Sequence, residues 1–142
     1  MNLVVSVVVP AQQETVWADL ARLETHAEWM ADASSVEFVG DQRDGVGTTM
    51  HVLTRLGPLR TTDVIRVAVW EPPRRIAVLH EGLVTGTGEF RLGAEGDGTR
   101  FTWTEQLVFP WYLGGAVAAY LARPLLGRVW KRNLARFAAR FG

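Results

Sequence analysis

Between Ser35 and Phe109 short β-branched or aromatic runs alternate with turn-forming sequences: Arg43-Asp44-Gly45, Gly57-Pro58, Pro72-Pro73, Gly82 and Gly96-Asp97-Gly98. Closely spaced strands punctuated in this way leave no room for crossover helices, so the stretch predicts an antiparallel meander. Taking each turn as a hairpin centre pairs Met50 with Ile65, Ile65 with His80, His80 with Val84, and Val84 with Phe109. It also sets Gly88 against Glu105 and Phe90 against Trp103. Side chains alternate between faces, so this register fixes one face as apolar and the other as polar. Met50, Val52, Ile65, Val67, Val69, Ile76 and Val78 fall on the apolar face, together with Phe90, Leu92, Phe101, Trp103 and Leu107. Asp63, His80, Gly86, Gly88 and Glu105 share it. Leu53, Val64, Trp70 and Leu79 land on the polar face, which predicts a bulge within the meander.

The flanks have other periods. Leu3–Val9 is β-branched and stops at Pro10, so it reads as a strand. Glu14–Leu20 reads as a short helix and Leu23–Met30 as a second short helical or turn-like piece. From Trp111 onward the period is helical, with Leu113, Val117, Tyr120, Trp130, Leu134, Phe137 and Phe141 near one stripe. Arg128, Arg132, Arg136 and Arg140 recur on another face, and Pro124 predicts a kink or interruption. A sheet with one apolar face needs a cover, and this long helix is the only element large enough. The pattern therefore predicts an α+β domain over residues 1–142: an antiparallel sheet, a covering C-terminal helix, and two short helices between the first two strands.

Composition narrows the function classes. With 48% hydrophobic and 21% charged residues, a chain of 142 residues reads as a soluble globular domain with a core of its own. The absence of cysteine removes disulfides, thiolate metal sites and cysteine nucleophiles. Lys+Arg and Asp+Glu both number 15, which argues against a nucleic-acid partner. The charges are unevenly placed: beyond Phe109 the chain carries Arg123, Arg128, Lys131, Arg132, Arg136 and Arg140 and no acid. That basic face reads as solvated and balanced by the acidic remainder, with contact to anionic lipid or an acidic partner as the other reading. The apolar start lacks a basic n-region, and Trp111–Ala122 is too short to span a bilayer, so a cytoplasmic protein without stable membrane insertion is expected. His26, His51 and His80 share no ligand spacing, and no phosphate loop, dinucleotide fingerprint or nucleophile elbow occurs. Neither metal nor cofactor is expected.

Several short pieces, in order, carry a resemblance. They are Glu14-Thr15-Val16-Trp17 after Pro10, then Leu20, Leu23 and Glu28-Trp29-Met30, then Gly45-Val46-Gly47-Thr48. Trp70-Glu71-Pro72-Pro73-Arg74-Arg75 and Gly98-Thr99-Arg100-Phe101-Thr102-Trp103-Thr104-Glu105 follow. Together they make the chain resemble the START-like (SRPBCC) superfamily, most closely its polyketide cyclase/dehydrase-like branch. The resemblance implies a helix-grip fold, in which a seven-stranded antiparallel sheet wraps around a long C-terminal helix and encloses an apolar cavity. It implies a hydrophobic ligand such as a lipid, polyketide or quinone. It carries over no catalytic residue, because the superfamily has no common catalytic motif.

Candidate site residues come from the apolar face. Glu105 lies beside Phe101, Trp103 and Leu107; desolvated there, its carboxylate can act as general acid or base, or it pairs with an arginine of the helix. Gly86 and Gly88 leave space next to Glu105, as a cavity floor requires, or relieve crowding against Trp103. His80 lies beside Ile65 and Met50, where an imidazole can hydrogen-bond a ligand or sit partnered at a rim. The predicted register holds His80 several residues from Glu105 along the sheet, so no direct pair is expected. Asp63, nearer the edge, is expected to be exposed. Met50, Ile65, Val78, Phe90, Trp103 and Leu107 on the sheet are candidate pocket walls. So are Trp29, Trp111, Leu113, Val117, Tyr120 and Leu121 on the helices, although ordinary core has the same composition. The reading is a domain that binds a hydrophobic small molecule. If it is an enzyme, aldol-type cyclisation or dehydration is expected, with Glu105 moving protons and His80 or Tyr120 orienting the substrate. The alternatives are a non-catalytic lipid or quinone carrier or sensor, and a protein-interaction module of co-chaperone or toxin type.

Overall fold

The computed structural model describes residues 1–56 and 58–142, except for the side chains of Leu56 and Leu59; of the turn signals, Gly57 lies outside the described residues. The elements run β1 (Asn2–Val9), α1 (Gln13–Leu20), a first 3-10 helix (Leu23–Glu28), β2 (Ala33–Phe38), β3 (Thr49–Leu56) and β4 (Leu59–Glu71). β5 (Arg75–Glu81), β6 (Thr85–Glu95), β7 (Gly98–Val108), a second 3-10 helix (Trp111–Leu113) and α2 (Gly115–Ala139) complete the chain. The seven strands form one sheet in the order β1-β7-β6-β5-β4-β3-β2. β2 to β7 are thus the predicted meander, every neighbouring pair antiparallel, and β1 returns to pair with β7. The sheet curls around α2, which is the helix-grip arrangement.

The predicted register holds for most of the meander. Met50 pairs with Ile65, Ile65 with His80, Gly88 with Glu105 and Phe90 with Trp103. It fails at one hairpin: His80 pairs with Gly86, not Val84, because the β5–β6 turn is centred on Leu83. Gly82 is not the turn centre. A Cβ there would lie 2.7 Å from Asp63 Oδ1, so its missing side chain admits the Asp63 carboxylate. The expected bulge lies between Val67 and Val69, where the β4–β5 register shifts. It turns Val69 outward and brings Trp70 onto the inner face opposite Ile76. There Trp70 meets Trp17 edge-on at 5.4 Å. Leu53, Val64 and Leu79 stay on the outer face, partly buried.

α2 continues through Pro124, so the expected interruption does not occur. Its buried stripe is Ala119, Leu126, Trp130, Asn133, Leu134 and Phe137. Val117 and Tyr120 are not in it. At 3.6 residues per turn, Val117 points about 140° away from Trp130. The C-terminal half grips an aromatic core: Trp130 stacks on Trp103 at 5.0 Å, and Phe137 meets Phe101 and Trp29 edge-on. Asn133 and Arg136 fasten this half. Asn133 donates to Asp32 and accepts from the Ala31 N–H, and Arg136 donates to the Trp29 carbonyl. The N-terminal half buries only Ala119 and Leu126 and presents small residues, Ala118 and Ala122, to the sheet. Large side chains close one end of the layer gap, and small ones leave the other open.

Candidate functional site

The gap is a cavity of about 530 Å³, within the range that drug-sized ligands occupy. Met50, Val52, Ile65, Val78 and Leu107 form its floor on the sheet, and Ala118, Ala122, Leu126 and Trp130 face them from α2. Leu23, His26 and Met30 close one side. His26 is buried and its Nε2 bonds the Leu20 carbonyl at 2.7 Å; burial lowers its pKa, so it is held neutral.

Into this apolar space the sheet projects one charged cluster. His80 Nε2 donates to Glu105 Oε2 at 2.8 Å, and Trp103 Nε1 donates to Glu105 Oε1 at 2.8 Å. His80 Nδ1 lies 3.6 Å from Asp63 Oδ2, an ion-pair distance longer than a hydrogen bond. That buried Nδ1 has no hydrogen-bond partner among the described residues. The three residues come from β4, β5 and β7, with β6 between His80 and Glu105. The side chains meet because the intervening strand has none to interpose. A Cβ on Gly88 would lie 2.7 Å from Glu105 Oε1, and a Cβ on Gly86, whose φ is +138°, would lie 1.9 Å from the Gln106 carbonyl oxygen. Each carboxylate lies over a glycine: Asp63 over Gly82 and Glu105 over Gly88.

Burial works against a charge on His80, but the flanking Asp63 and Glu105 carboxylates outweigh it and push its pKa up to about 10. At neutral pH the cluster therefore holds an imidazolium between two acids. Such a group can donate a hydrogen bond from Nδ1 to a ligand oxygen and can supply a proton to it. Glu105, 5% exposed, has lone pairs left to accept from a ligand hydroxyl.

Among the sequence-predicted residues, Met50, Ile65, Val78, Phe90, Trp103, Leu107 and Leu113 line the cavity with His80 and Glu105. The expectation that His80 and Glu105 stand apart is overturned. It rested on the misplaced β5–β6 turn, and the true register sets them diagonally across β6. Asp63 is likewise not exposed at an edge but faces the cavity. Trp29, 1% exposed, packs in the aromatic core instead of lining the cavity. Trp111, Val117, Tyr120 and Leu121 are exposed and line no part of it, which removes Tyr120 as a substrate-orienting group. Sequence reasoning missed Asp32, which accepts from Trp130 Nε1 and Asn133 at the cavity wall, and the role of Asp63. The signal for Asp63 was present in Gly82, which reads as a turn former and acts as a space maker. Among the described residues no group of three or more His, Cys, Asp or Glu is placed to hold a metal ion.

A curled antiparallel sheet gripping one long helix is the architecture of several solved structures. TTHA0849 of Thermus thermophilus superposes with a TM-score of 0.81 at 20% identity, covering 99% of this chain and 97% of that one. The ZhuI aromatase/cyclase of Streptomyces sp. R1128 superposes with a TM-score of 0.71 at 20% identity, covering 99% and 92%. The di-domain ARO/CYC BexL gives a TM-score of 0.76 at 19% identity, this chain matching 49% of its length. No curated protein matches the chain. The family model for polyketide cyclase/dehydrase and lipid transport proteins matches residues 1–142, and the chain belongs to that family.

Proposed function

We propose that the protein binds a hydrophobic, oxygen-bearing small molecule of polyketide or aromatic type in the cavity and catalyses its cyclisation or dehydration by acid–base chemistry. The observation that carries this reading is the His80–Glu105 pair, with Asp63, held inside a largely apolar cavity. Glu105 takes the proton from a carbon next to a substrate carbonyl, and the His80 Nδ1–H stabilises the enolate oxygen. The enolate carbon then bonds to a second carbonyl carbon of the same chain, and His80 protonates the resulting alkoxide. The proton on Glu105 passes back to His80 through their hydrogen bond. Glu105 then takes a second proton from the same carbon while His80 protonates the departing hydroxyl. Water leaves, a carbon–carbon double bond forms, and the pair ends with the protons it began with. The apolar walls exclude bulk water, which strengthens each of these interactions.

A carrier function is the second reading, and one observation favours it: both Glu105 oxygens already hold a donor, from Trp103 and His80. The two separate on Glu105→Gln and His80→Gln, with turnover of a poly-β-carbonyl substrate and its binding measured together. A catalytic pair loses about 100-fold or more in turnover in either variant, the usual scale of one acid–base group, with little change in binding. Unchanged turnover in both variants removes the pair as the acid–base group, and no turnover in the unsubstituted protein alongside tight binding assigns the carrier role.

A further inference from the structure

The outer face of α2 changes character along its length. Val117 and Leu121 lie one turn apart on the side facing away from the sheet, Leu125 follows at the edge of that face beside the cavity, and all three are exposed. Continuing along the same face come Arg128 and Arg132, with Lys131 beside them, all exposed. In front of the helix the second 3-10 helix presents Trp111, 86% exposed, and Tyr112. A solvated helix does not gather two aromatics and three large aliphatics at one tip, nor place a basic belt directly behind them.

The six basic residues beyond Phe109 fall into two sets. Arg123 donates to the Asn2 carbonyl, Arg136 to the Trp29 carbonyl, and Arg140 pairs with Asp19 and Glu28. These serve the fold. Arg128, Lys131 and Arg132 take part in no hydrogen bond or ion pair among the described residues. No acid follows Glu105 in the chain, so nothing on this segment cancels them. Of the six, only Arg140 meets acids directly; Arg128, Lys131 and Arg132 are solvated, as expected of this face.

We propose that this end of the molecule docks on an anionic lipid surface: Trp111, Tyr112, Val117 and Leu121 enter the interface and Arg128, Lys131 and Arg132 meet the lipid phosphates. The charge sequence selects this occupant over an acidic protein. From Val117 to Leu125 is about 12 Å of helix, in which Arg123 is turned back onto the Asn2 carbonyl, and Arg128 follows within one more turn, about 5 Å. An apolar tip of that size matches the boundary between headgroups and acyl chains, and the belt behind it matches the phosphate level. Aromatic side chains with polar edges prefer that boundary. No described helix is long and apolar enough to cross a membrane, so the contact is peripheral. Leu113 and Leu125 belong both to this tip and to the cavity lining, so a docked molecule would open its cavity toward the lipid. That route of ligand entry rests on the ligand-binding reading above; the docking itself does not.

Sedimentation with sucrose-loaded vesicles tests it, comparing phosphatidylcholine alone with equal parts phosphatidylcholine and phosphatidylglycerol. Wild type should sediment with the anionic vesicles and only weakly with the neutral ones, and Trp111 fluorescence should shift to the blue. Each basic residue near such a surface contributes roughly fivefold, so Arg128→Glu/Lys131→Glu/Arg132→Glu together should weaken partition by at least about 100-fold. Leu121→Glu should weaken it by at least about tenfold, the loss of one buried leucine. Both variants alter exposed residues that do not line the cavity, so their ligand binding from solution should match wild type. That control separates failure of docking from failure of the ligand reading. No sedimentation of wild type, or equal partition of all variants, overturns the proposal. A concentration-dependent dimer that Leu121→Glu abolishes, with no vesicle binding, also overturns it and assigns the face to a second copy of the chain.

Discussion

His80 keeps a proton at neutral pH inside the cavity because two carboxylates flank it, whereas His26 stays neutral nearby because burial outweighs the pull of Asp19 and Glu24. The two therefore tilt stability in opposite directions. The folded-state pKa of His80 lies above its ordinary 6.5, so its contribution is complete below about pH 6.5 and drains away as pH rises toward about 10. That of His26 lies below 6.5, so its contribution is present above that value and is lost as pH falls. Denaturant titrations from pH 5 to 10 should show stability falling on the alkaline side, with His80→Gln flattening that limb and leaving the acid limb in place. A wild-type alkaline limb that His80→Gln leaves unchanged would break the assignment. Gly88→Ala is the matching steric test. Its Cβ would press the Glu105 carboxylate, costing about 1–3 kcal/mol and displacing Glu105 from His80. The histidine NMR titration should then move down from about 10. The His80–Glu105 pair was illegible in the sequence for a definite reason: Gly82 satisfies both a turn and a close approach, and only the second applies. Two residues of register followed from that one ambiguity.

At the scale of elements, α2 is two helices in function joined without a break at Pro124. The C-terminal half holds the fold through Trp130, Leu134 and Phe137, and the N-terminal half roofs the cavity with alanines. Trp130→Ala should therefore cost about 3–5 kcal/mol, whereas Tyr120→Ala should stay within about 0.5 kcal/mol, both read from urea midpoints. Equal losses would mean that the helix is gripped along its whole length. The strands were legible because period-two alternation and turn residues fix pairs directly, as with Met50–Ile65 and Phe90–Trp103. The phase of α2 was legible at Trp130, Leu134 and Phe137 but not at Val117 or Tyr120. An apolar residue that faces outward carries the same signal as one that faces in.

The whole molecule is a sheet and a helix that meet at one end and part at the other, and the space between them is its central feature. No residue pattern distinguishes a cavity wall from packed core, since Val78 and Leu107 would read alike in either. What makes the cavity is a volume deficit opposite the sheet, at Ala118 and Ala122; Gly86 and Gly88, expected as its floor, line no part of it, because the Gln106 backbone and the Glu105 carboxylate take their space. A ligand that fills it binds only the folded state. At about 100 times its Kd it should add about 2.7 kcal/mol to stability.

The most direct test is native mass spectrometry of the freshly purified protein and of Ala122→Phe, each presented with a panel of aromatic polyketides and lipophiles. Ala122 faces the cavity from α2, so the larger ring should intrude on the space that the ligand occupies. The wild-type chain should carry one apolar molecule at one-to-one stoichiometry, and Ala122→Phe should carry none while remaining folded. No adduct with any compound, or the same adduct in both proteins, would contradict a ligand-binding cavity between sheet and helix.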